Sequence, residues 1–488
     1  MNRLSLYIFV AGISLSSCSG DWLNLDPSTS LPTEVAMKTL QDAQSALNGV
    51  YRLASSHSYY GDNYLYFGDC RGADVQARIS KGDRGRVSPY YEYTVKADDS
   101  FNTSLPWNQA YKVIRQANNI LHYVKEIETT EQKEVDRIFS EALAMRGLAL
   151  YDLTRLFAMP YMSDNGASPG VPIELEITDF NHKPARKSVA ECYAQVIEDM
   201  TNSLSGLSTE KRDGYLNYWA VKGLLSRVYL NMGKDKEAFE AAEDVIENSK
   251  SIYRLYTHDE YPTIWGKDFQ SESLFEFYFS MTEPSGGSGG EGAPMVYENE
   301  SKVDWNNLIL TKSFLDLINE DPDDVRHCLL EKSVIENNEG LPEAARTQPV
   351  FLNKYPGKNG DPHDNNICIV RLSEIYLNAA EAGFKLGGEY KSKALEYLNA
   401  IVSRANPKKS VSSDEFTLDK ILKERRKELV GEGLAVYDYT RNKISVDRTE
   451  TGGWHLASIN PSAVVIKYND SRHAVPIPQT EIDANPNL

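Results

Sequence analysis

The chain has 488 residues, of which 41% are hydrophobic and 25% are charged, and its formal net charge at pH 7 is -18. This length exceeds the roughly 250–300 residues at which one hydrophobic core stops growing, so we expect two domains or one extended scaffold that carries a second subdomain. The negative charge argues against a nucleic-acid partner, which needs a basic surface, and against electrostatic adhesion to anionic lipid.

The amino terminus has the pattern of a bacterial lipoprotein signal. Arg3 precedes a mostly apolar run, LSLYIFVAGISL, which is too short to span a bilayer core of about 30 Å. The run ends in Leu15-Ser16-Ser17-Cys18, where small residues precede a cysteine. We therefore expect a signal peptide at 1–17, lipidation of Cys18 and a lipidated tether at 18–33; the alternative is an ordinary signal peptide with an incidental cysteine. The lipid would hold the folded body at a membrane outside the cytoplasm.

Helical periodicity recurs along the rest of the chain. Apolar residues spaced three and four apart predict a helical scaffold at approximately 34–54, 107–250 and 371–430, and Asp414 is the predicted cap of the last helix. Residues 219–246 have two such periods separated by Gly233, a residue suited to a helix end. One helix pair cannot bury its apolar face alone and needs neighbours. The sequence therefore predicts a mainly α fold with an irregular tetratricopeptide-like helical repeat scaffold.

Two stretches interrupt the helical pattern, at approximately 55–104 and 253–366. The first is rich in Gly, Asp, Tyr and Arg, and the second contains the strand-like run 273–279 and the loop PSGGSGGEGAP. Irregular stretches of this length are uncommon in a compact protein unless they are functional. We predict that they form a loop-rich, strand-poor second subdomain and that they are ligand-binding insertions.

Aromatic side chains are the main binding candidates in these insertions. The chain has 29 tyrosines, and flat amphipathic rings suit the recognition of sugars or peptides. Polar groups beside such rings can hydrogen-bond the hydroxyl groups of a sugar. The predicted ligand-binding residues are Tyr60, Tyr64, Tyr66, Asp69, Arg71, Trp265 and Trp305. Core packing is the alternative for each of them, and it is the expected role of Trp107 and Trp219, which lie in periodic helices.

Motifs of enzyme chemistry are mostly missing from the sequence. Gly286-Gly287-Ser288-Gly289-Gly290 matches the pattern of a nucleophile elbow, but the flanking Gly, Ser and Pro residues indicate a flexible linker. HExxH, P-loop and CxxC patterns do not occur. The acidic clusters at 321–324 and 361–364 lack the full calcium-loop pattern. We therefore expect no enzyme activity, no cofactor and no metal ion, with a lipid-anchored glycoside hydrolase as an alternative that only coordinates can address.

Several segments together resemble one protein family. The helix WNQAYKVIRQAN at 107–118 matches the family's W–Y–I–AN pattern, and 141–160 matches its EA–RA…FG–P segment, with Ala158 where glycine is usual. The helix RLSEIYLNAAEA at 371–382 matches its R–E–L–AEA pattern. The stretch 424–441 carries its ER–EL–EG–D–R signature, and the carboxyl terminus carries its PIP–E–NP–L ending. Over nearly its whole length the chain resembles the SusD/RagB-type outer-membrane lipoproteins of Bacteroidota.

This resemblance implies a fold and a function. It implies a single SusD-like domain at 34–488 whose scaffold packs on a SusC-like TonB-dependent transporter of the outer membrane. Such proteins hold a glycan, or in some members a peptide, on outward loops and pass it to the transporter. We therefore expect non-enzymatic capture of an oligosaccharide at the cell surface. The same fold binding peptides or another nutrient, and an adaptor without a ligand, are the alternatives. The family's binding residues follow no motif, so the predicted site depends on aromatic content alone.

Overall fold

The computed structural model describes residues 37–61, 63–77, 86–179, 181–279, 296–298, 306–332, 349–361, 364–449 and 459–488. Cys18 and the predicted tether lie outside these residues, as do the glycine-rich linker and Trp305. Within the described ranges, every helix is too short or too polar to cross a membrane.

Helices make up most of the described chain, which confirms the prediction of a mainly α fold. The α-helices are α1 (Leu40–Ala54), α2 (Asn63–Cys70), α3 (Ser88–Tyr91), α4 (Leu105–Tyr123), α5 (Gln132–Phe157), α6 (Val189–Ser203), α7 (Tyr218–Asn231), α8 (Asp235–Asn248), α9 (Lys312–Asn319), α10 (Leu372–Leu386), α11 (Tyr390–Ala405), α12 (Leu418–Leu429), α13 (Ala435–Arg441) and α14 (Gln479–Ala484). The strands are β1 (Val75–Ala77), β2 (Ser273–Phe277), β3 (Leu308–Leu310), β4 (Leu330–Lys332), β5 (Val350–Leu352), β6 (Ile367–Arg371), β7 (Val446–Asp447) and β8 (Val465–Ile466).

The long helices pack side by side in two groups. α4 packs against α1 and α5, and α5 packs against α6. α7 and α8 form one helix pair, α10 and α11 form another, and α8 packs against α10. This series of packed helix pairs is the tetratricopeptide-like scaffold that the apolar periodicity predicts. Trp107 and Trp219 are buried in it, as expected for core residues.

Local sequence signals determine several helix ends. Ser188 and Glu191 form a capping box at the start of α6, because each side chain accepts a hydrogen bond from the other residue's backbone N–H. Gly233 has a φ of +68° between α7 and α8, a conformation that glycine adopts without steric cost. The predicted cap at Asp414 is wrong. α12 begins at Leu418, and the side chain of Thr417 accepts the capping hydrogen bond from the backbone N–H of Lys420.

Close packing around α10 depends on a residue without a side chain. A Cβ added to Gly383 would lie 2.7 Å from the Cβ of Ala394 and 2.8 Å from Cε2 of Phe239. Phe239 belongs to α8 and Ala394 to α11, so α10 is held tightly between its two neighbours. Any larger residue at position 383 must push these helices apart.

The strands form small pairs beside the helical scaffold. The described residues contain four two-stranded antiparallel sheets, which pair β1 with β3, β2 with β6, β4 with β5 and β7 with β8. β6 continues directly into α10 at Leu372, so the β2–β6 pair is fixed to the scaffold. The described residues of the first predicted insertion contain α2, β1, α3 and a π-helical turn at Ser100–Ser104, and many of them are buried.

A buried group of charged residues connects the strand pairs to the scaffold. Arg371 at the end of β6 contacts Glu272 and Glu428 at 2.9 and 2.7 Å. Arg404 of α11 lies 3.1 Å from Glu272 and 2.7 Å from Glu428, and Arg326 lies 3.3 Å from Glu428. Burial raises the pKa of Glu428, but the three arginines outweigh this effect and keep the pKa well below its usual range. Glu428 is therefore a charged junction between three separate segments.

Candidate ligand-binding site

The predicted site residues of the first insertion lie in the protein interior. Tyr60 is 5% exposed, Tyr66 and Asp69 are also buried, and Arg71 is 1% exposed, while Tyr64 is partly buried. In the described structure these side chains therefore offer no open stacking face. This differs from the expectation of an outward loop, because α2 and the turns on either side of it direct these side chains inward.

Long-range polar contacts explain why these side chains are stable in the interior. The hydroxyl group of Tyr60 donates a hydrogen bond of 2.5 Å to Asp152 in α5. Asp69 accepts hydrogen bonds from the hydroxyl of Tyr297 at 2.8 Å and from the backbone N–H of Gly433 at 3.0 Å. The guanidinium of Arg71 lies 4.0 Å from the ring centre of Tyr93. A buried polar group costs little only when it is paired in this way, so these residues form a polar part of the core.

Trp265 is the predicted residue with the most unusual surroundings. Its ring is partly exposed, and Nζ of Lys354 and Cζ of Arg371 lie 4.9 and 5.6 Å from the ring centre. Cations at such distances are attracted to the face of an indole ring. The Nε1–H group of Trp265 is buried and has no hydrogen-bond partner in the described part of the chain. A buried N–H without an acceptor is costly, so this group needs a water molecule or a ligand oxygen.

A small polar cavity lies beside Trp265. Its volume is about 60 Å³, and its lining includes Lys354, Lys358, Asn366 and Asp268. A water molecule needs about 10–15 Å³ of such volume, so the cavity has room for a few waters but is small for a sugar ring. A larger ligand must therefore bind at the rim of the cavity and reach inward with single groups.

Two aromatic residues that were not predicted as site residues lie at this rim. Tyr278 is 51% exposed, and it is the one aromatic residue among the exposed large hydrophobic side chains of the described chain. Its ring stacks on that of Phe269 with 6.3 Å between ring centres and 18° between ring planes. Nζ of Lys358, which lines the cavity, lies 4.7 Å from the ring centre of Tyr278 and 2.7 Å from Oδ2 of Asp268. A flat ring thus has donors and acceptors directly beside it.

The backbone at Phe269 is held in an unfavourable conformation. Its φ is +51°, which is rare for a bulky residue. The side chain of Lys211 donates hydrogen bonds to the carbonyls of Phe269 and Gln270, and Glu276 accepts from the N–H of Phe269. Strain of this kind persists only where surrounding contacts enforce it, and it is concentrated at functional sites. The sequence carries no signal for it, whereas Tyr278 could have been noticed as a ring directly after a buried strand.

Glu276 is a buried carboxyl group under this turn. Burial raises its pKa from 4.5 to about 7, and its hydrogen bonds with Phe269 and Asn366 act in the opposite direction. Asp268 and Asp364 both lie near Lys358, at 2.7 and 3.4 Å. The acids of the rim are therefore engaged in holding the turn and the lysine. The described residues contain no group of three potential metal ligands.

Comparisons with known proteins agree with this architecture. Residues 21–230 match a family model described as SusD-like, starch-binding associating with outer membrane, and residues 336–488 match the SusD family model. A SusD superfamily protein from Bacteroides thetaiotaomicron has 61% sequence identity and a TM-score of 0.87, with 92% of this chain and 98% of that chain covered. SusD-like protein P2 from Formosa agariphila is 24% identical, with 100% and 99% coverage. A laminarin-binding SusD-like protein, 22% identical with a TM-score of 0.71 and coverage of 92% and 98%, has the same fold.

The identity to the Bacteroides thetaiotaomicron protein extends over nearly the full length of both chains. The two family models match the amino-terminal and carboxyl-terminal parts of the chain in the order expected for one protein. The chain therefore belongs to the SusD superfamily.

Proposed function

We propose that this protein is a cell-surface lipoprotein, anchored in the outer membrane through Cys18, that captures oligosaccharides and delivers them to a SusC-like TonB-dependent transporter. The family model describes starch binding at the outer membrane, and a protein of the same fold binds laminarin. The observation that carries the proposal is the exposed ring of Tyr278 beside a polar cavity with an unpaired indole N–H.

The proposed binding mode uses two kinds of contact. The apolar face of a sugar ring would stack on Tyr278, which Phe269 supports from behind. Hydroxyl groups of the sugar would reach Lys358 and Asp268, and one of them would accept the hydrogen bond from Nε1 of Trp265. Trp305 lies outside the described ranges and stays a predicted ligand-binding residue.

We propose binding without turnover. Hydrolysis of a glycoside needs one carboxyl group that donates a proton and a second one that is free to act as base or nucleophile. Near the rim, Asp268 and Asp364 are paired with Lys358, and Glu276 holds the backbone of Phe269. This part of the proposal would be overturned if a sensitive assay detected reducing ends released from a glycan and if substitution of one Asp or Glu abolished that release.

Calorimetric titration tests the site with the C18A variant of the full chain, which removes the lipid. Starch and laminarin oligosaccharides are the first ligands because both glycans are named for similar proteins. Tyr278→Ala should weaken binding roughly 2- to 10-fold, since an aromatic contact contributes about 0.5–1.5 kcal/mol beyond burial. Trp265→Phe keeps a ring but removes the N–H, and it should also weaken binding. Val465→Ala, which shortens another exposed side chain, is the matched control.

Two outcomes would contradict the proposal in different ways. Unchanged affinity in both site variants would reject the site, although not glycan binding by the protein. Binding on a peptide library with none on a glycan array would reject the ligand class. Delivery is tested separately. The lipidated protein should co-purify with a TonB-dependent transporter from outer membranes. Recovery of the protein without a transporter after cross-linking would reject the delivery step.

A further inference from the structure

A second and larger recess shares no lining residue with the cavity at Trp265. We call it the α4 groove: it runs between the exposed face of α4, the chain at 172–179 and 181–184, and the chain from α14 to Leu488. Its volume is about 430 Å³. Small-molecule sites typically have volumes of about 300–1,000 Å³, so this groove, unlike the cavity at Trp265, can hold a whole sugar residue.

The walls of the α4 groove are tied to one another by side-chain hydrogen bonds. The hydroxyl of Tyr111 donates to the carbonyl of Pro172 at 2.8 Å. Nδ2 of Asn118 donates to the carbonyls of Glu174 and Glu176, each at 3.2 Å. Nδ2 of Asn485 donates to the carbonyl of Pro184 at 2.8 Å, which fixes the third wall. The groove is therefore formed before any ligand arrives, and this lowers the entropic cost of binding.

The exposed face of α4 places a ring and polar groups along the groove. Asn108, Tyr111, Lys112 and Arg115 are spaced three, four and seven residues from the first, so they share one helix face. The ring of Tyr111 packs on Trp107, with 4.9 Å between ring centres. Lys112 and Arg115 are exposed, and neither makes an ion pair or a hydrogen bond within the part of the chain that the structure describes. Their donors are available to a ligand.

The opposite wall of the groove carries acidic groups. Glu174 lies 3.3 Å from His182, and Glu176 and Glu481 also line the groove. Burial raises the pKa of Glu174, while its contact with His182 and the charge of Arg115 oppose this effect. Arg115 is thus close enough to act on Glu174 through the groove without forming an ion pair with it. α4 thus carries basic groups, and the facing chain carries mostly acidic ones with Lys183 as a further basic group.

We propose that the α4 groove is a second binding site, which takes a neutral sugar residue of a glycan. Acidic and basic groups both line the groove, so it favours neither an anion nor a cation. A hydroxyl group both donates and accepts hydrogen bonds, so a sugar can bridge the carboxylates and the guanidinium while its apolar face covers Tyr111. The choice of ligand class rests on the function proposed above, whereas the groove itself does not.

Hydrogen exchange with mass spectrometry locates binding, using the C18A full chain with maltoheptaose and laminarihexaose as probes. We expect protection of peptides covering 105–123 and 172–184, in the parent protein and equally in Y278A, which disables the other site. Arg115→Ala should remove this protection and weaken binding at the groove about tenfold, the effect of losing one charge-assisted hydrogen bond. Lys133→Ala removes an exposed lysine from α5 outside the groove lining and is the matched control.

The other outcomes of the hydrogen-exchange experiment separate the second site, its ligand class and the proposed function from one another. Protection confined to 264–279 would overturn the second site and leave the proposed function intact. Protection of the groove by tri-alanine, a zwitterion, but by neither glycan would overturn the ligand class. Absence of glycan binding at both sites would instead reject the proposed function. Arg115 is exposed, so loss of folding does not complicate the R115A result; its circular dichroism spectrum should match that of the parent.

Discussion

Glu276→Gln should change how the stability of this protein depends on pH. Glu276 is buried on β2, and burial raises its pKa from 4.5 to about 7. The folded state therefore holds this proton more tightly than the unfolded state does. The contribution of Glu276 to stability is fully present below pH 4.5 and is lost as the pH rises to 7. One pKa unit corresponds to about 1.4 kcal/mol, so the loss amounts to about 3 kcal/mol.

Urea unfolding of the C18A full chain and its E276Q variant at pH values between about 4.5 and 8 measures this effect. The glutamine keeps an oxygen that can accept the hydrogen bond from the N–H of Phe269, but it does not titrate. We expect the free energy of unfolding of the variant, relative to the parent, to rise by about 3 kcal/mol over this range. Subtracting the parent value at each pH cancels the contributions of all other titrating groups. Glu240→Gln, on the exposed side of α8, controls for the loss of one negative charge.

A difference in stability that does not depend on pH would refute a raised pKa of Glu276. If the difference between the two proteins stays constant over the whole pH range, Glu276 is ionised in the folded protein at all these pH values. The geometry around the carboxylate would then stabilise the charge, and the turn at Phe269 would be held by an anion rather than by a carboxylic acid.

Two further substitutions test the packing of the scaffold. Gly383→Ala should destabilise the protein by about 1–3 kcal/mol because the new methyl group meets Ala394. Gly49→Ala, which places a methyl group in open space within α1, should be neutral or stabilise the protein by up to about 1 kcal/mol. Equal urea midpoints for the two variants would contradict this prediction. Glu428→Ala should lower the free energy of unfolding by about 3–5 kcal/mol, because it removes a carboxylate that compensates the buried charge of Arg371 and the neighbouring arginines. A decrease below about 1 kcal/mol in the same urea assay would mean that water compensates these charges.

Local signals explain which parts of the fold could be predicted. The helix pairs follow from apolar periodicity, and the caps at Ser188 and Gly233 follow from residue type, because both depend on neighbours in sequence. Asp414 failed as a cap because another acceptor, Thr417, lies nearer to the first turn of α12. When two residues a few positions apart could both cap a helix, only the backbone conformation shows which of them does.

The candidate site was harder to predict because it depends on distant contacts. Tyr60 became a core residue through Asp152, which is 92 positions away in sequence. Trp265 lies at a polar cavity, but composition alone does not show that its N–H lacks an acceptor among the described residues. Tyr278 and the strained turn at Phe269 were missed, because exposure and backbone strain are properties of the folded chain rather than of a residue type.

The junction at Glu428 has a consequence for how the molecule melts. Its three arginines come from the end of β6, from α11 and from the segment before β4, so parting any two of these regions would leave charges in a medium of low polarity. Such a state costs several kcal/mol for each ion and should hardly be populated. Heating should therefore give a single cooperative transition, with equal calorimetric and van't Hoff enthalpies, and no intermediate in which only the helices remain.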